Sequence, residues 1–168
     1  MTGLPRSGSY GLGPEQAQRI AKECYGEVLA YCGRHAPAGY EPADLAQETF
    51  LRFVRAGSYR EQGRPIAYLM RIARSVCVDA SRKRRLETVP LDFDIAESGE
   101  TGGDDAIDEA LAKLSEDLRE VVELRFGSGL GVGEVAHVLG ISRFAARRRI
   151  DTALKLLAEE LEDGDLNG

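Results

Sequence analysis

The tightest constraint on the fold lies toward the C-terminal end, in VGEVAHVLGISRFAARRRIDTALKLL, residues 132–157. Val135, Ala136 and Leu139 recur at helical spacing and give a first helix its apolar face. Gly140 ends that helix, because glycine enters the left-handed conformation at little steric cost. Ile141 is an apolar anchor in the turn, and the hydroxyl of Ser142 can accept a free backbone N–H at the start of the next helix. Ala146, Ile150, Ala153 and Leu157 then fall on one buried stripe. Arg143, Arg147 and Arg148 lie on the other side, with Arg149 at its edge. A second helix whose exposed N-terminal half is rich in arginine suits the major groove of DNA, so the stretch reads as a helix-turn-helix.

A net charge of −6 looks wrong for a nucleic-acid binder until it is resolved along the chain. Residues 14–86 carry 13 basic and 8 acidic groups, and residues 111–157 carry 8 basic and 6 acidic. Between them, residues 87–110 hold nine acids and no base. Two mildly basic blocks are therefore separated by an acidic connector, and that asymmetry says more than the total. The 168 residues suit one medium domain or two small ones. No apolar run approaches the ~20 residues of a membrane span. The first residues, MTGLPRSGSYGLG, lack the apolar core of a signal peptide and read as a frayed arm, so a cytoplasmic protein is expected.

The first block reads as three helices. Pro14 to Gly33 has Ala17, Ile20, Cys24, Val28 and Tyr31 at helical spacing, with the proline suited to a first turn. RHAPAGYEP is a loop by its proline and glycine content. Pro42 to Ala56 follows, with Leu45, Ala46, Phe50 and Phe53 buried, and Asp44, Gln47, Glu48 and Arg52 outside as an acidic and amide-rich face. Gly57 to Arg64 is a polar loop carrying Ser58 and Tyr59. Pro65 opens a third helix, whose core stripe is Ile66, Met70, Ala73, Cys77 and Ala80. Tyr68, Arg71, Ser75, Asp79 and Arg82 line its opposite face, Arg74 lies beside them, and Arg82 to Arg85 is a basic run at the helix C-terminus, where cations are favoured. An aromatic loop beside a basic helix is also what single-stranded nucleic acid requires: a surface for unstacked bases and neutralisation of phosphates.

Residues 87–105 are an acidic, glycine-containing linker without periodicity. Helix resumes near Ala106, with Leu111, Leu114, Leu118, Val121, Val122 and Leu124 as the second block's core and Ser115 as an N-cap before two acids. Gly127 to Gly131 is a loop, and residues 162–168 are expected to fray. The predicted architecture is all-α, with two small helical domains joined by a flexible acidic linker.

Catalytic and metal chemistry find little support. Cys32 and His35 are three apart but have no second pair, so core thiols and a surface histidine are expected. Glu134 and His137 make only a partial ExxH, without the preceding histidine of a zinc protease motif. No catalytic residue, metal, cofactor or small-molecule substrate is assigned.

Taken in order, the blocks resemble bacterial sigma factors of the extracytoplasmic-function group, the smallest class of the sigma-70 family. DLAQETFLRF (44–53) looks like the family's core-polymerase-binding helix, RPIAYLMRIARSVCVDASRKRR (64–85) like its promoter-melting and minus-ten-reading helix, and LSEDLREVVELRF (114–126) with LGVGEVAHVLGISRFAARRRIDTALKLL (130–157) like its minus-thirty-five domain. The resemblance implies domains at 14–86 and 106–161, flanked by a disordered arm at 1–13 and a tail at 162–168. It implies a core-polymerase contact at Asp44, Gln47, Glu48 and Arg52. It places minus-ten contacts at Ser58, Tyr59, Arg64, Tyr68, Arg71, Arg74, Ser75, Arg82 and Lys83, and minus-thirty-five contacts at Arg143, Phe144, Arg147, Arg148 and Arg149. The partners implied are core RNA polymerase, promoter DNA and an anti-sigma protein. The acidic linker, with Asp92, Asp94, Glu97 and Glu100, would suit the polymerase's positively charged RNA path.

The chain departs from the family pattern at four places. Tyr68 stands where tryptophan is usual, Ser75 where asparagine is usual, and Gly131 where a Ser or Thr N-cap is usual. Ser-Arg-Phe-Ala-Ala replaces the common Ser-Glu-Gly-Thr-Val at the recognition helix. Phe144 has three readings: contact with a thymine methyl, packing on polymerase, or cover for a neighbouring helix. Two other functions fit parts of the chain: a stand-alone helix-turn-helix regulator, which would not need residues 42–85, and a sigma-like decoy for an anti-sigma protein.

Overall fold

A computed structural model describes residues 12–56, 64–87 and 105–166. The chain divides into two compact units, Met1–Ala96 and Glu97–Gly168. Among the described residues there is no β-strand, so the all-α expectation holds. The loop with Ser58 and Tyr59 and the acidic residues 92, 94, 97 and 100 lie outside the described residues.

The first unit is three mutually packed helices: α1 (Pro14–His35), α2 (Pro42–Ala56) and α3 (Pro65–Glu87). Each opens on a proline, which is preset for the first helical turn and lacks an N–H that would have no partner there. α1 runs two residues past the expected Gly33. It stops at Ala36, extended at φ −66° and ψ 128°, because the residue before Pro37 is pushed out of the helical region. α2 has the expected bounds. Tyr31, Phe53, Leu69 and Met70 are all but completely buried at the centre, and each such side chain contributes about 1.5–3 kcal/mol relative to exposure. Phe50 is half-buried rather than core, stacked at 6.0 Å on Tyr25. Thr49 takes an interior place instead, its hydroxyl donating to the Leu45 carbonyl at 2.8 Å. That bond removes the cost of a buried polar group.

The second unit comprises α4 (Asp105–Lys113), α5 (Glu116–Val122), one wide π-type turn at Glu123–Gly127, α6 (Val132–Leu139) and α7 (Arg143–Leu166). α7 packs against α4, α5 and α6. Ser115 stands at the N-cap of α5 in extended conformation, yet its side chain makes no capping bond, contrary to expectation. The break between α4 and α5 is closed by Arg119 instead. Its guanidinium donates to the carbonyls of Leu111, Ala112 and Leu114 at 3.0–3.1 Å, satisfying the orphan acceptors at the end of α4. Lys113 joins α4 to α7 through Glu160 at 2.7 Å, and this carboxylate raises the lysine's pKa above its ordinary value. α7 continues to Leu166, through residues expected to fray; its last turns are rich in Ala, Leu and Glu, all good helix formers.

Candidate nucleic-acid and polymerase interfaces

The turn between α6 and α7 is built as its sequence dictates. Gly140 sits at φ 66°, ψ 32°. Its N–H reaches the His137 carbonyl at 3.4 Å, and the Ile141 N–H reaches the Ala136 carbonyl at 3.1 Å. This paired closure is the Schellman motif, and a side chain at Gly140 would be strained. The Ser142 hydroxyl accepts the Ala145 N–H at 3.0 Å, capping α7. At the other end of α6, Gly131 has no side chain to cap with, but the Glu134 carboxylate reaches back to its N–H at 2.7 Å, half of a capping box. Glu134 is thus occupied structurally rather than held for metal chemistry.

Ala146, Ile150 and Ala153 are buried and Leu157 half-buried, which turns the opposite side of α7 outward. Arg143, Phe144, Arg147 and Arg148 are exposed and Arg149 is half-buried. Phe144 is 74% exposed, so it covers no neighbouring helix, and the Arg148 guanidinium lies 5.7 Å from its ring centroid. The two make one cationic, partly apolar surface at the start of α7.

In the first unit the four residues expected to contact polymerase separate into two groups. Asp44 and Gln47 are exposed, and Leu51 and Val54 continue their row at spacings of four and three, 41% and 57% exposed. Exposed leucine and valine beside a polar face were not singled out in the sequence; the signal was their position off the buried stripe of α2. Arg52 instead reaches α3 and holds Glu48 on its own helix. Arg52 Nε holds Glu48 Oε1 at 2.9 Å and its Nη1 holds Asp79 Oδ2 at 3.0 Å. The two carboxylates hold the guanidinium's pKa above its ordinary value.

Arg52 also borders a shallow hollow of about 280 Å³ with Ala56, Tyr68, Arg71, Ile72 and Ser75. Tyr68, Arg71 and Ser75 repeat every three to four residues along α3, so one face presents all three. The Tyr68 ring packs at 5.8 Å on buried Phe53, which anchors it in the hollow's wall. Arg82 and Lys83 are exposed two turns farther along, Arg64 is exposed at the opposite end, and Arg74 is half-buried and outside the hollow. The structure thus brings Tyr68, Arg71 and Ser75 together, and adds Arg52 to them.

The cysteines are core residues: Cys24, Cys32 and Cys77 are buried and joined by no disulfide. Burial, with Glu27 and Glu23 nearby, pushes the Cys24 thiol up, while hydrogen bonding with Cys77 draws Cys32 down against its burial. His35 is half-buried and stacked on Tyr31 at 4.2 Å, rather than a surface histidine. Among the described residues no cluster of His, Cys, Asp and Glu has the geometry to hold a metal ion. No described helix is long and apolar enough to cross a membrane.

Comparison with known proteins matches this organisation. Sigma-70 region 2 matches residues 20–87, and Sigma-70 region 4 matches residues 110–159. The chain is 35% identical over 71% of its length to the ECF RNA polymerase sigma factor BldN of Streptomyces coelicolor, of which the match spans half. It is 32% identical to the RNA polymerase sigma factor CarQ of Myxococcus xanthus, with 83% of this chain and 85% of that protein covered. Its fold resembles the sigma factor RpoE of Bartonella quintana, solved in complex with the anti-sigma factor NepR, with a TM-score of 0.66 at 22% identity over 86% of this chain and 96% of that one.

Proposed function

The chain belongs to the sigma-70 family of RNA polymerase sigma factors, in its extracytoplasmic-function group, and from that premise we propose that it serves as an alternative sigma factor. It binds core RNA polymerase, places it on a promoter and helps open the minus-ten region, without covalent chemistry of its own. It acts in the cytoplasm. The observation that carries this reading is the order of two units, each with an outward face that carries arginine: the Tyr68, Arg71 and Ser75 side of α3 in one and the start of α7 in the other.

The working division of the chain is a region 2-like domain at 14–86, a linker at 87–105 and a region 4-like domain at 106–161. The row Asp44, Gln47, Leu51 and Val54 supplies the polymerase contact, with Glu48 and Arg52 at its edge. The hollow beside Tyr68, together with Ser58, Tyr59 and Arg64, receives the melted minus-ten strand, with Arg74, Arg82 and Lys83 on neighbouring phosphates. The exposed start of α7 enters the minus-thirty-five groove. A paired anti-sigma protein would cover these same surfaces, as NepR accompanies the similarly folded RpoE.

Run-off transcription on genomic fragments with purified core polymerase tests the proposal. A sigma factor is retained by core and yields discrete transcripts. A stand-alone helix-turn-helix regulator would not be retained, and a decoy for an anti-sigma protein would yield no transcript.

A further inference from the structure

Gly133 is the second residue of α6, a place where alanine is the better helix former. Its backbone gives no reason for glycine, since the positive-φ glycines among the described residues are Gly39, Gly129 and Gly140. A close neighbour lies across the turn. A Cβ on Gly133 would stand 3.0 Å from Nη2, 3.3 Å from Nε and 3.4 Å from Cζ of Arg143. The guanidinium of the first residue of α7 lies over the first turn of α6, so close that a methyl group on Gly133 would push it aside.

We propose that Gly133 is a positioning residue that seats Arg143, and that Arg143 so held grips a backbone phosphate beside the minus-thirty-five groove rather than a base edge. The inference rests on the DNA-binding reading of α7. In a helix-turn-helix the first helix crosses the sugar-phosphate backbone while the second enters the groove. A side chain that starts on α7 but rests on α6 is drawn out of the groove toward that backbone. Contacts of this kind fix register and carry no sequence information. Arg147 and Arg148, one turn farther along the exposed side of α7, remain for base edges. Seating the guanidinium beforehand reduces the freedom it loses on binding.

The test uses holoenzyme assembled from the full chain and core polymerase, with a pool of random-sequence DNA duplexes as probe. Arg143→Ala should weaken binding to every duplex by one common factor and leave the enriched sequence motif unchanged. Its log–log salt slope should be shallower by about 0.9, the share of one phosphate contact. Gly133→Ala should melt no lower than wild type yet lose part of that affinity, and Gly133→Leu should lose all of it. Neither should cause further loss when Arg143 is already alanine. Relaxation of one motif position in Arg143→Ala would overturn the phosphate assignment. Wild-type binding by both Gly133 variants, or additive loss in the double variants, would overturn the seat. Failure of wild-type holoenzyme to enrich any motif would instead count against the DNA-binding reading itself.

Discussion

Arg52 of α2 and Asp79 of α3 are joined at 3.0 Å, and the same guanidinium holds Glu48 one turn earlier at 2.9 Å. Arg52 therefore stands between two surfaces, the outward row of α2 and the hollow beside Tyr68. The Arg52 side chain is 38% exposed and Asp79 48%, so solvent screening limits the pair to about 0.2–1 kcal/mol of stability. A double-mutant cycle of Arg52→Ala and Asp79→Ala, followed by urea unfolding, should return a coupling in that range. The larger effect should be on open-complex formation, because Arg52 borders the hollow; unchanged promoter opening in Arg52→Ala would remove it from that site.

Polymerase binding should depend on the apolar half of the α2 row. Leu51→Asp and Val54→Asp place charges at exposed positions and should leave the thermal midpoint nearly unchanged. Each should weaken core binding by tenfold or more, about 1.4 kcal/mol. Asp44→Ala with Glu48→Ala should also reduce it. Competition with wild type for limiting core checks both, and equal competition would move the contact elsewhere.

Arg147→Ala and Arg148→Ala should each reduce duplex affinity by about 1–3 kcal/mol if the side chain reads a base, with lost discrimination at one position of the site. A promoter titration across salt concentrations separates that outcome from the uniform loss expected of a phosphate contact.

Gly140→Ala should destabilise the second unit by about 1–2 kcal/mol, the cost of a side chain in the left-handed region. Denaturant unfolding measures it. A neutral result would mean that the turn relaxes to another closure.

Phe144→Ala should change stability by no more than about 0.5 kcal/mol, since a side chain this exposed contributes little to packing. It should nonetheless alter promoter affinity, both directly and by releasing Arg148 from the ring. Calorimetry and duplex binding on the same variant check the two halves of this statement.

The fold was legible where periodicity and punctuation agree. Prolines 14, 42 and 65 open their helices, and Gly140 closes the turn it was expected to close. It was less legible where a side chain satisfies backbone groups at a distance along the chain. Nothing local marks Arg119 as the closure of α4, or Glu134 as the substitute for a missing cap on Gly131. Nothing local marks Thr49 as a core residue either, since its place depends on the bond to Leu45. Gly33 reads as a stop, but a glycine with open space around it only weakens a helix. At the candidate sites, sequence spacing separated outward faces from buried ones but not who touches whom. The splitting of Asp44 and Gln47 from Glu48 and Arg52, and the pairing of Gly133 with Arg143, depend on how two helices approach.

The capped turn and the buried stripe of α7 hold that helix without help from its outward residues. Substitutions at 144, 147 and 148 therefore have little to disturb beneath them. On the proposed reading, promoter preference can be rewritten at Phe144, Arg147 and Arg148 while the scaffold of the helix stays as it is, so two such proteins can share a fold and still address different genes.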